Sequence, residues 1–147
     1  MGRGQRLDRA FADATKRLEH RERAFARELA WGVVRWRGTL DHLLARHVKR
    51  GLDSLDERVL DVLRAGAYEV LFMGGVPAYA AVSQAVDAVR AVGQPRAAGL
   101  VNAVLRRITE LGLDARLFPQ LERDPAGYLE RRGSHPRWLV ERWLQRW

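Results

Sequence analysis

Apolar residues recur at intervals of three and four along most of the chain, the repeat of amphipathic helices rather than strands. Leu7, Phe11, Ala14 and Leu18 predict a short first helix. Phe25, Leu29, Val33, Trp36, Leu40, Leu44 and His47 keep one phase across Gly32 and Gly38. That continuity predicts a single long helix, with either glycine available for a kink. In "GLDSLDERVLDVLRAGAYEVLFMGG", Ser54 is placed as the cap, with Asp56 and Glu57 in the first turn. Leu60, Leu63, Ala67, Val70 and Leu71 form its inner stripe, and Gly74-Gly75 its stop. Two further helices are expected over Val76 to Val92 and Pro95 to Leu111, the second stopping near Gly112. Their link, "GQP", is short enough to make them antiparallel neighbours. Hairpin signals and period-two β-branched runs are absent, so the expected class is all-α.

The regular pattern occupies residues 1–112. Residues 113–133 carry prolines and charge with few apolar positions, and read as a connector with one short helix near Pro125 to Arg132. Residues 134–147 read as the start of a last helix, with Ser134 and Pro136 as cap and first turn. Trp138, Leu139, Trp143 and Trp147 then form an apolar face with no later sequence to cover it. They are either core residues or the docking surface for a following domain that is absent. On the docking reading, a cut at Gly133 costs the core little.

The composition, 47% hydrophobic without cysteine, is that of a globular domain lacking disulfides, thiolate metal sites and a cysteine nucleophile. Neither an apolar signal core nor a membrane-length apolar run is present, so a soluble, cytoplasmic protein without membrane contact is expected. Lys and Arg number 26 against 18 acids, a net charge of +8, and Lys16 and Lys49 are the only lysines. A GC-rich codon bias explains arginine in place of lysine but not the surplus over acids. Arginine pairs phosphate through a planar fork and stacks on bases, so the surplus points to nucleic acid.

Catalytic chemistry finds no foothold. His20, His42, His47 and His135 show no ligand spacing, and His42 and His47, five apart, fall on different helix faces. Ser83 has no base nearby in sequence, and Gly74-Gly75 follows a helix rather than a strand. No catalytic residue, metal site or cofactor is assigned to this chain.

Three blocks in order, "RAFARELAWGVVRWRGTLDHLL", "VLRAGAYEVLFMGGVPAYAAVSQAVDAVR" and "GLVNAVLRRI", resemble the NusB-like domain. The version most similar is the one at the N-terminus of the RsmB (Sun, Fmu) ribosomal RNA cytosine-C5 methyltransferases. The resemblance runs from about Leu7 to Ile108, and "SHPRWLVERW" is similar to the segment that leads into the rest of that enzyme. It implies two three-helix bundles packed side by side and an RNA-binding role. That role is either in small-subunit rRNA methylation or, as for NusB, in transcription antitermination with a ribosomal protein. Two departures matter. The family's full first helix is missing ahead of "LDRAFADATKRL", so either the first bundle lacks a member or the sequence starts late. The S-adenosylmethionine loop and the catalytic cysteine are also missing, so this chain is expected to be a non-catalytic accessory domain. Its expected partners are small-subunit rRNA and either its own catalytic domain or a ribosomal protein.

Particular residues follow. Asn102, set among Val101, Val104 and Leu105, is read as a structural pin whose amide pairs with the backbone of "GGVPAY". Arg106 and Arg107 are read as RNA contacts near a helix end. Arg35 and Arg37, which flank a core-facing Trp36, are expected to share their surface. Arg21 and Arg23 extend the same patch. Trp138, Trp143 and Trp147 are the expected domain-docking residues.

Overall fold

The computed structural model describes residues 6–146, and Trp147 lies outside them. Among the described residues all regular structure is helical: α1 (Leu7–Ala14), α2 (His20–Ala45), α3 (Glu57–Phe72), α4 (Ala78–Ala91), α5 (Ala98–Leu111), α6 (Pro125–Arg131) and α7 (Arg137–Arg146). The first helix stops short of Leu18. The Thr15 hydroxyl donates to the Phe11 carbonyl at 2.8 Å and closes the last turn there. The long helix starts ahead of Phe25, because Glu19 and Glu22 form a reciprocal capping box. It then runs unbroken through both glycines.

Each glycine of α2 marks a close approach. A Cβ on Gly32 would overlap the Tyr68 ring of α3. The Gly38 N–H donates to Ser134 Oγ at 2.9 Å, contributed by the chain just before α7. Ser54 does not cap α3. Gly51, at φ +83°, turns the chain one step earlier, and the Ser54 hydroxyl donates to the Gly51 carbonyl. Asp56 is the cap instead, accepting from the Arg58 N–H at 2.9 Å.

The helices α3, α4 and α5 form a three-helix bundle, and α2 lies along α3 with a lighter contact to α5. Leu40, Leu43, Leu44, Leu63, Val89, Val101, Leu105 and Ile108 are sealed in its core. Burying each such side chain stabilises the fold by about 1.5–3 kcal/mol. The other group is thinner. It consists of α1 and the first half of α2, joined where Phe11 meets Trp31 edge-on at 5.2 Å.

Residues 113–133 are not a free connector. Phe118 enters the main core, and His42 Nε2 donates to the Leu117 carbonyl at 2.7 Å. The Thr39 hydroxyl donates to the Arg132 carbonyl at 3.1 Å, and α6 packs on α2. Ser134, at φ +56°, aims its hydroxyl back at α2 rather than capping α7, whose first turn hangs on the Pro136 carbonyl. Val140 of α7 is fully buried. Ending the chain after Gly133 should therefore lower stability by about 2–3 kcal/mol, the cost of that side chain and the Ser134 bond, in urea melts.

One buried acid lacks a full set of partners among the described residues. Glu69 of α3 is buried with one carboxylate oxygen unbonded, and burial pushes its carboxyl above the ordinary carboxyl range. A raised folded pKa means stability is complete below the unfolded value, near 4.5, and is lost as pH rises through the folded one. Glu69→Gln should thus match the parent in acid and gain about 1 kcal/mol at neutral pH. Thermal melts across a pH series would read this as a few degrees.

Candidate nucleic-acid interface

The cations divide by what already holds them. The Arg23 guanidinium donates to the carbonyls of Thr15, Lys16 and Leu18 at 3.2–3.5 Å, completing the turn after α1. Arg58 is forked onto Asp56 and also reaches the Val92 carbonyl. Arg116 binds its own cap, Asp114, and those hydrogen bonds hold the Asp114 carboxyl down at about 2. Arg137 bridges Glu130 and Glu141, and buried Arg64 clasps Asp41. These arginines are tied to the fold, which leaves a smaller set for phosphate.

One group of that set lies at one end of α2, and other exposed arginines are spread over α1, α5 and α7. Arg46, Lys49 and Arg50 are exposed where α2 gives way to the Gly51 turn. Among the described residues none of them has an ion-pair partner. Arg107 of α5 approaches the same place and pairs with the exposed Glu110 at 2.7 Å. His47 sits between them. Burial lowers its pKa first, and the positive charges of Arg107 and Arg46 lower it further. Both effects disfavour the protonated imidazole.

The expected residues are spread more widely than the sequence suggested. Arg106 and Arg107 do not end α5, which continues to Leu111, and neither lies in its last turn. Arg107 faces the end of α2, while Arg106 lines a cleft against α4. Arg35 and Arg37 lie mid-way along α2, Arg35 5.8 Å from the Trp36 ring and Arg37 3.9 Å from Asp41. From Arg35 to His47 the helix rises ~18 Å, so the single patch expected from the four arginines does not form. Arg21 is exposed near the opposite end of α2, farther still. Trp36 stacks on Phe72 at 4.9 Å and packs against the core, as its spacing predicts.

Asn102 is half-buried in the same cleft as Arg106, beside Ala78 and Tyr79. Among the described residues its amide makes no hydrogen bond, so the pairing expected with "GGVPAY" is not formed. Trp138 and Trp143 are both exposed, at 64% and 37%. A five-residue spacing sets them ~140° apart around α7, so they do not make one apolar face. Trp147, the third expected docking residue, lies outside the described residues. The cations that sequence reasoning missed, Arg46, Lys49 and Arg50, had a signal in "ARHVKRG", a cluster straddling a helix stop. Among the described residues no cluster of potential metal ligands occurs, and no helix is long and apolar enough to cross a membrane.

The all-helical bundle agrees with the comparisons. The NusB family profile matches residues 2–110, and the chain belongs to the NusB family. It is similar to the ribosomal RNA small subunit methyltransferase B of Pseudomonas putida, with 35% identity over 135 residues. That match covers 89% of this chain and 29% of the relative. The proteins of the same name from Erwinia tasmaniensis and Escherichia coli O157:H7 are 29% and 27% identical. Those matches cover 98% and 95% of this chain, and 32% and 30% of the relatives. The chain thus spans less than a third of the length of these methyltransferases.

Proposed function

We propose that this chain is an RNA-binding, non-catalytic module of a small-subunit rRNA 5-methylcytosine methyltransferase, working in the cytoplasm. The observation that carries the reading is the group Arg46, Lys49, Arg50 and Arg107 around His47. It is a set of cations that the fold leaves largely without acids. Charges so placed neutralise phosphates and release counterions, which is the main source of affinity for RNA backbones. The names of the relatives support small-subunit rRNA as the target. Methyl transfer itself falls to the remainder of such an enzyme. On this reading S-adenosylmethionine belongs to that remainder as well.

The test is fluorescence anisotropy of the chain with a structured small-subunit rRNA fragment. Four phosphate contacts predict affinity falling roughly 50- to 150-fold between 50 and 200 mM salt. Absence of binding at the lower salt would remove the proposal. A second reading, docking onto a catalytic half or a ribosomal protein, is favoured by the exposed Trp138 and Leu144 of α7. The two functions are compatible on one chain.

A further inference from the structure

Between α4 and α5 lies a cleft of about 610 Å³, within the span of small-ligand sites. Its apolar floor is Val82 and Val86. At its rim Tyr79 is 80% exposed, with its ring presented to solvent. An aromatic body gains most by burial, so a tyrosine held out in this way is a free platform. One turn apart on the facing helix stand Asn102 and Arg106, on one side of α5. The amide offers a donor and an acceptor, and among the described residues neither is used. Arg106 likewise has no ion pair among them. Arg90, on the α4 wall, is only loosely paired, at 3.8 Å from an exposed Asp87.

A stacking face, an unsatisfied amide and an unpaired guanidinium around an apolar floor match one ligand chemistry. We propose that this cleft takes a single unpaired nucleobase of single-stranded RNA, stacked on Tyr79, with its edge on Asn102 and an adjacent phosphate on Arg106. The inference rests on the RNA-binding reading above. It also gives Arg106 a role distinct from that of Arg107, its neighbour in sequence. The cleft selects single strands, because both faces of a base within a duplex are already stacked. A hydrogen-bonding edge partner gives it base preference, which a basic surface alone lacks.

The experiment uses a mixed-sequence single-stranded RNA oligomer carrying 4-thiouridine, beside a duplex of equal length. Tyr79→Ala should weaken the single strand roughly five- to 150-fold, leaving the salt slope unchanged because no phosphate contact is lost. Tyr79→Phe keeps the ring and should bind like the parent. The duplex should be insensitive to both changes. Photocrosslinking followed by peptide mass spectrometry should place the adduct in the peptide that carries Tyr79. Salt-dependent binding with crosslinks elsewhere and no effect of Tyr79→Ala would overturn the base cleft and leave the RNA-binding reading standing. No binding of either RNA would overturn both. Tyr79 is exposed, so its variants should keep the parent's fold, and circular dichroism of each variant checks this.

Discussion

Asp41→Ala should cost about 3 kcal/mol of stability, among the largest effects of any single change here. Arg64 of α3 is almost sealed from solvent, with its side chain 10% exposed. Its Nε and one terminal nitrogen donate to the two oxygens of Asp41 on α2 at 2.7 and 2.9 Å, a bidentate clasp between the helices. Removing the carboxylate strands a guanidinium whose remaining acid, Asp61, is 3.5 Å away and largely in water. A buried charge that loses its partner typically costs about 3–5 kcal/mol, and the partial exposure of Asp41 favours the lower end. The pair itself need not be favourable relative to apolar residues. Asp41→Leu combined with Arg64→Met should recover most of the loss in urea denaturation. If the single variant melts like the parent, the clasp is not holding α2 to α3.

The second large effect is steric. A Cβ on Gly66 would stand 2.6 Å from Leu105 Cδ1 and 3.2 Å from the Ala85 Cβ. Leu105 is fully buried and has nowhere to retreat. In an exposed helix, Gly→Ala gains about 1 kcal/mol from propensity alone. At Gly66 that gain is outweighed by overpacking of about 1–3 kcal/mol, and Gly66→Val should lose more than Gly66→Ala. Gly99 is the control. Nothing lies near its would-be Cβ, so Gly99→Ala should stabilise by about 0.5–1 kcal/mol. Chemical denaturation of the three variants reads both signs. A stabilised Gly66→Ala would contradict the close packing of α3 on α5.

Much of this architecture is legible in the chain because helices announce themselves locally. The three-and-four spacing from Phe25 to His47 is enough to carry α2 through two glycines. The short link after Gly93 is enough to pair α4 with α5. What the sequence hides is set by distant partners. Gly32 is glycine because Tyr68 fills its space, and Ser134 serves a backbone N–H on α2 rather than its own helix. No local pattern contains either fact. The same holds for the connector, whose composition reads as solvated while Phe118 is in the core.

The site divides along the same line. Arginines can be counted from sequence, but their engagement cannot. Arg23 looked free and is bound to the carbonyls beyond α1, whereas Arg46, Lys49 and Arg50 are exposed without ion pairs among the described residues. Interleaving with Trp36 drew attention to Arg35 and Arg37, yet Trp36 faces Phe72 and presents no base platform. Arg106 and Arg107, adjacent in sequence, diverge by ~100° around α5 and meet different neighbours.

The central claim is that the end of α2 and the adjoining face of α5 contact RNA phosphates. The measurement is the log–log salt slope of RNA binding for the parent and for a variant carrying Arg46→Gln, Lys49→Gln, Arg50→Gln and Arg107→Gln. All four side chains are exposed, so the variant should keep its helical circular dichroism and nearly its melting point. Loss of four contacts predicts a slope shallower by about 3. A variant that binds structured rRNA with the parent's affinity and the parent's slope would contradict the account.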